Sequence, residues 1–265
     1  MGGGWREVAD RVLVRETGVW QVNVGLVLGD SGCLVIDTGA SYDEGRELAD
    51  AVRSVTRATC TVVNTHAHVD HVLGNAAFGP ARFWGHRRCG PFLDRPVEQQ
   101  WERIGVTPTR AQIEGARVVA PDQLVDDQAV VLIGDRAVTL MHLGRGHTDN
   151  DLVVIVPDVG VVFAGDLVRE GGTPWVGDGF PLDWPDALRR LEGLAVGAVV
   201  PGHGRVIGQT EVAEHRVLFE GVAQLARTSY RAGLSVEAVA RELPLRPRAA
   251  GDAATRAYGQ LDGSL

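Results

Sequence analysis

A chain of 265 residues with 45% hydrophobic and 23% charged residues has the composition of an ordinary soluble globular protein, long enough to bury a large apolar core without disulfides. Its formal net charge of −8, from 34 acidic against 26 basic residues, argues against broad electrostatic attraction to nucleic acid or to an anionic membrane. No apolar run approaches the roughly 20 residues of a membrane-spanning helix.

The start, Met1-Gly2-Gly3-Gly4-Trp5-Arg6-Glu7, lacks the apolar stretch of a signal peptide. Cys33, Cys60 and Cys89 form no C-x-x-C pair. Each sits among apolar neighbours and reads as a buried reduced thiol, so the expected location is the cytoplasm.

The first half reads as strands separated by turns. Val8–Val14 and Trp20–Leu28 are rich in valine and aromatic residues, and Gly29-Asp30-Ser31-Gly32 signals a turn before Cys33. Cys33–Ile36 is a short continuous apolar run, which suits a strand covered on both faces. Asp43–Val55 places Leu48, Val52 and Val55 at helical spacing, with Ser41 or Asp43 as cap. Cys60–Asn64 is the next strand and runs directly into Thr65-His66-Ala67-His68-Val69-Asp70-His71. A helix is expected from Asp70 through Ala77, and Pro91–Glu114 reads as helical with breaks at Gly105 and Pro108.

From about residue 129 strands return, at Ala129–Ile133, Ala137–His142, Leu152–Val156 and Val161–Ala164, with Gly134-Asp135 as a hairpin signal. Trp184–Leu194 reads as a helix, Ala198–Val200 as a strand and Glu211–Ala232 as a long helix, with two smaller helices closing the chain. Two successive blocks of strands and helices suit an α/β (α+β) architecture of two sheets packed face to face with helices outside both. One domain spanning 1–265 is expected, with C-terminal helices from about 209.

Chemistry concentrates in the histidines. Three of the eight fall within six residues, in His66-x-His68-x-Asp70-His71. Alternate residues on an extended chain point the same way, so His66 and His68 can converge on one cation. Asp70 and His71 follow after the chain begins to turn and can face a second. Imidazole nitrogen and carboxylate oxygen are ligands that zinc accepts. Three imidazoles and a carboxylate at this density gain little from packing, so ligation is the better explanation.

Three more segments offer a ligand at a strand end beside glycine: Gly146-His147-Thr148, Gly165-Asp166-Leu167 and Pro201-Gly202-His203-Gly204. His86, His142 and His215 read as satisfied surface or core residues, although His86 ends a strand-like run and could approach the site.

Asn64-Thr65-His66-Ala67-His68-Val69-Asp70-His71, followed by Gly74-Asn75, resembles the signature of the metallo-β-lactamase-fold hydrolases. The later His147, Asp166 and His203 segments are similar to that family's remaining metal motifs, in the same order, so the resemblance covers roughly residues 20 to 206. It implies a four-layer αββα sandwich with the metals in a cleft at one edge of the sheets. It puts His66, His68 and His147 on a first metal, Asp70, His71 and His203 on a second, and Asp166 between them, where one subclass of zinc β-lactamases carries cysteine. Asp37 resembles the family's buried aspartate behind the ligands, or forms a turn. Asn75 and Thr148 are further candidates for orienting the imidazoles, with Thr148 equally suited to capping its loop.

The implied activity is a metal-dependent hydrolase with two Zn²⁺, iron or manganese being alternatives. A hydroxide bridging the ions would attack an ester, thioester, lactone or lactam carbonyl, and Asp70 would orient it and pass a proton to the leaving atom. The glycine-rich stretch 171–180 suits a flexible cleft wall bearing Trp175 and Phe180, with Trp84 and Trp101 as further candidates for an apolar pocket or the core.

The rival on the same scaffold is a persulfide dioxygenase-like oxidoreductase with one iron, which the resemblance would place on His66, His147 and Asp166. A flavodiiron protein would carry glutamate where His68 stands. A non-catalytic metal-binding module is the other alternative, although structural zinc sites are usually closed and sulfur-rich. The expected partner is a small-molecule substrate, with no nucleic acid and no membrane; the oligomeric state stays open.

Overall fold

The computed structural model describes residues 4–18 and 20–265, apart from the side chain of Ala111. Strands β1 (Arg6–Ala9), β2 (Val12–Glu16), β3 (Asn23–Leu28), β4 (Gly32–Ile36), β5 (Thr59–Val63), β6 (Arg82–His86) and β7 (Gln123–Val125) form one sheet in that spatial order. The first four pair antiparallel, and β4 to β7 pair parallel. Strands β8 (Gln128–Ile133), β9 (Arg136–Met141), β10 (Val153–Val156), β11 (Val161–Arg169) and β12 (Val199–His203) form the second sheet, antiparallel except for the β11–β12 pair.

The inner faces of the sheets meet in one core that includes Val27, Leu34 and Ile36 from the first and Leu140, Val154 and Phe163 from the second. Gly25 makes this approach possible, because a Cβ there would lie 2.5 Å from the Phe163 ring. Outside the first sheet, Leu48 and Val52 of helix α1 (Tyr42–Val55) cover Val24, Leu26, Val35 and Val62. Ser41 caps that helix by accepting from the Glu44 amide at 3.1 Å. Outside the second sheet lie helices α6 (Trp184–Leu194), α7 (Gln209–Arg231), α8 (Val236–Glu242) and α9 (Pro247–Asp262). The layers therefore run helix, sheet, sheet, helix, as expected.

Several elements differ from the sequence expectations. The run Val8–Val14 is two strands, because Arg11 takes the left-handed conformation (φ 56°) and closes a hairpin that no glycine or proline announces. The stretch from Trp20 becomes a strand only at Asn23, and β7 is a three-residue strand recruited by its parallel neighbour β6. Helix α2 (Val69–Val72) is a single turn that tightens into a 3-10 turn over Leu73–Phe78. The helical region Pro91–Glu114 consists of α3 (Cys89–Leu93), α4 (Val97–Arg103) and α5 (Arg110–Glu114). Of the closing helices, α9 is long, with 16 residues.

Cys33 and Cys60 lie opposite each other on parallel neighbours β4 and β5 and are joined by a disulfide, with Cα atoms 4.7 Å apart. This corrects the reading of three reduced thiols and removes the cysteine argument for a reducing compartment. Cys89 is free and buried. Met1–Gly3, part of the start read above for a signal peptide, lie outside the described residues. Among the described residues no helix is long and apolar enough to cross a membrane.

The α6–α7 packing has a measurable anchor. Phe219 of α7 is fully buried and stacks on Trp184 of α6 at 4.1 Å. Phe219→Ala is expected to lower stability by about 3–5 kcal/mol in urea unfolding. Val217→Ala, at a site 59% exposed, should change it by less than about 0.5 kcal/mol.

Candidate metal centre

Five segments end at one rim of the sandwich. His66 and His68 follow β5, Asp70 and His71 lie in α2, and His147 sits in the loop between β9 and β10. Asp166 lies within β11 and His203 ends β12, so both are inside strands that run farther than the sequence pattern indicated. The β11–β12 register is irregular on both sides of Gly165, which re-aims Asp166 toward the rim. Gly202 leaves room for it, since a Cβ there would lie 1.8 Å from Asp166 Oδ1.

The donor atoms converge in three overlapping groups: His66 with His68 and His147, His66 with His71 and Asp166, and Asp70 with His71 and His203. Within each group the ligand atoms lie within 4.8 Å of one another. His71 Nε2 is 3.4 Å from Asp166 Oδ1 and 3.6 Å from Asp70 Oδ2. His203 Nε2 is 3.4 Å from both Asp70 Oδ2 and Asp166 Oδ2. His66 Nε2, His71 Nε2 and Asp166 Oδ1 are buried and have no hydrogen-bond partner. Buried polar atoms are rarely left so, and a cation would satisfy all three. The residues therefore fit the binding of divalent metal.

The outer side of each imidazole is fixed. His71 Nδ1 donates to Asp37 Oδ2 at 2.8 Å, and His203 Nδ1 donates to the Trp20 carbonyl at 3.0 Å. His147 Nδ1 donates to the Trp175 carbonyl at 3.2 Å, and His68 Nε2 donates to the Asp178 carboxylate at 3.2 Å. Thr65 Oγ1 gives its proton to Asp37 Oδ2 at 2.8 Å and so accepts from His66 Nδ1 at 3.1 Å. The nitrogen of each ring left over by these contacts faces inward, those of His68 and His147 lying 2.9 Å apart as a hydrogen-bonded pair, and can offer a lone pair to a cation once it is deprotonated.

Asp37 is the keystone of this outer layer. Its carboxylate takes the Thr65 amide, the Thr65 hydroxyl and His71. It does so from the left-handed conformation (φ 58°), uncommon for a non-glycine residue. Asn75 acts at one remove: it bonds Asn64 and Thr38, and both of these donate to the His71 carbonyl. Thr148 does not touch an imidazole and closes its own loop on Asp151 at 2.6 Å. Asp178 and the carbonyls of Trp20 and Trp175 escaped the sequence reading. A backbone carbonyl leaves no signature, and Asp178 is one acid in a glycine-rich loop.

A cleft of about 240 Å³ opens over the donors, lined by Trp20, Trp175, Ile104 and Val106 with Arg169 and Arg248. Trp175 thus lines the cleft, whereas the Phe180 ring lies 4.6 Å from the Arg145 guanidinium and 5.0 Å from that of Arg256. Trp84 packs against the inter-sheet core, and Trp101 is fully buried behind Trp20. His86 and His142 pair with each other at 4.3 Å, away from the donors, and His215 bonds the Arg169 backbone.

Burial holds the His66 imidazole well below its ordinary range and lowers that of His147 to about 4. Burial opposes charge at His203 too, but Asp166 and Asp70 outweigh it and raise the imidazole to about 9. His71 is raised well above its usual value against the same burial, by Asp70, Asp37 and Asp166. For Asp70, burial works upward, yet His71 and His203 bring the carboxyl down to about 2. Burial opposes charge at His68 as well, but Asp178 outweighs it, so the carboxylates around the site favour the protonated forms of His68, His71 and His203 in the metal-free chain.

A model of the metallo-β-lactamase superfamily matches residues 17–203, and the chain belongs to that superfamily. It is similar to the acyl-coenzyme A thioesterase MBLAC2 of Homo sapiens, at 28% identity over 211 residues, 71% of this chain and 75% of that protein. It is 26% identical over 191 residues to a metallo-β-lactamase type 2 of Bacillus sp. (strain 170), covering 69% of this chain and 66% of that one. These relatives are hydrolases, in line with the class expected from the motifs.

Among solved structures, TMB-1 superposes with a TM-score of 0.65 at 21% identity, covering 83% of this chain and 99% of its own. The sec-alkylsulfatase Pisa1 from Pseudomonas sp. gives 0.73 at 15% identity, over 97% of this chain and 50% of that one. At these identities the two structures establish the fold alone.

Cation binding must expel the protons held on His71 and His203. Because the His203 value lies near 9, zinc binding at pH 7 is expected to release at least one proton, and affinity to rise with pH up to that range. Calorimetric titration in two buffers of different ionisation enthalpy measures this. Binding without proton release contradicts the charge balance described.

Proposed function

We propose that the chain is a dinuclear hydrolase that holds two divalent cations, zinc in our reading, and cleaves the carbonyl of an ester, thioester, lactone or lactam. The observation that carries this is the set of three buried, unpartnered inward atoms at the junction of two complete donor sets. Asp166 stands between the sets, His66, His68 and His147 on one side and Asp70, His71 and His203 on the other. Bound there, the cations supply Lewis acidity and a water whose pKa falls to about 7.

The chain's own groups do the rest. Asp70 keeps one carboxylate edge toward His71 and His203, and in our reading it orients the attacking water and carries its proton to the leaving atom. Asp37, Thr65 and Asp178 keep the imidazoles from turning. Trp20, Trp175, Ile104 and Val106 offer an apolar wall that suits an acyl or ring portion and excludes bulk water. The thioesterase and β-lactamase relatives support a small carbonyl substrate.

The single-iron alternative would use His66, His147 and Asp166 and leave Asp70, His71 and His203 gathered without a role. A structural zinc role is disfavoured because the donors face a cleft and lack thiolates. Nitrogen and carboxylate donors also accept iron or manganese, so elemental analysis identifies the native metal.

The test combines elemental analysis with a panel of lactam, thioester, lactone and ester substrates. His68→Ala is expected to lose bound metal together with activity. Asp70→Asn is expected to lower kcat by about 10²–10⁴-fold. Full activity in metal-free His68→Ala protein would rule the proposal out.

A further inference from the structure

Helix α9 lies beyond the region matched by the superfamily, which ends at residue 203, yet it reaches the loop that orients the imidazoles. Arg256 of α9 donates from Nε to the Gly179 carbonyl at 2.7 Å and from Nη2 to the Asp178 carbonyl at 2.8 Å. Gln260, one turn on, accepts from the Leu182 amide at 3.0 Å. The guanidinium of Arg256 also packs on Phe180.

That same loop holds two of the three imidazoles in the first donor set. The Asp178 carboxylate takes His68 Nε2, and the Trp175 carbonyl takes His147 Nδ1. Gly177 and Gly179 flank Asp178, so the segment has little stiffness of its own. A planar guanidinium that donates to two successive carbonyls fixes the peptide between them, and thereby the direction in which Asp178 points.

We infer that Arg256 is a positioning residue for the first metal subsite, acting from the C-terminal helix through Asp178 on His68. Residues that orient a metal-binding histidine typically change metal affinity by about 10–100-fold when removed. The ammonium of lysine cannot reproduce the two-carbonyl fork, so lysine should recover only part of the loss. The inference rests on the dinuclear reading above.

Zinc affinity measured by chelator competition, with the visible spectrum of the cobalt-substituted protein as a signature of site geometry, tests it. Arg256→Ala should weaken one of two bound ions by about 10–100-fold and alter the cobalt spectrum, with Arg256→Lys in between. Asp178→Ala should do the same, and the double variant should lose no more than Asp178→Ala alone, because both act through one contact. Arg256→Gln, which keeps one donor, substitutes if Arg256→Ala does not fold.

Unchanged affinity and spectrum in folded Arg256 variants overturn the inference, as do losses that add in the double variant. In both cases wild-type protein binding two ions leaves the dinuclear reading standing. Wild-type protein that binds no zinc overturns both.

Discussion

Five imidazoles buried around two carboxylates can grip cations only if each ring turns a lone pair inward and keeps its proton outside. In this chain the outward nitrogens are engaged by a layer of acceptors: Asp37, Thr65, Asp178 and the carbonyls of Trp20 and Trp175. Every one of them has a fixed position in the fold. Asp37 sits just past β4, Trp20 just before β3, and Trp175 and Asp178 in the loop after β11. The chemistry proposed for the cleft depends on these acceptors as much as on the donors themselves.

The sandwich explains why they meet. Donors come from both sheets, so the centre exists only where the two sheets are packed. The bridge between Val22 and His203 ties their rims together, and Asn23 reinforces it by donating to the carbonyls of Pro201 and Gly204. Glycines at 25 and 202 set how closely the sheets approach and how much room Asp166 has. A change in the core that shifts one sheet would therefore be felt at the rim.

Much of this was legible in the sequence. The density of His66, His68, Asp70 and His71 favours ligation over packing, and the later His147, Asp166 and His203 segments resemble the superfamily's motifs in the same order. The continuous apolar run Cys33–Ile36 declared itself by its length and turn signals, and the amphipathic stretch Asp43–Val55 by its period. What stayed hidden were contacts with no local pattern. Arg11 turns a hairpin without glycine, β7 is a strand only because β6 is beside it, and Cys33 and Cys60 pair because β4 and β5 are parallel neighbours. Thr148 and Phe180 stood near the site in sequence but turn to Asp151 and to two arginines. Asp178 lies more than 100 residues from His68 along the chain, a distance across which no spacing rule operates.

The central claim is that two cations sit side by side at this rim, and anomalous diffraction at the zinc absorption edge from zinc-loaded crystals addresses it directly. The account predicts two peaks about 3.5–4 Å apart. One should be surrounded by His66, His68 and His147, the other by Asp70, His71 and His203, with Asp166 between them. A single peak, or peaks placed away from these seven side chains, would contradict it.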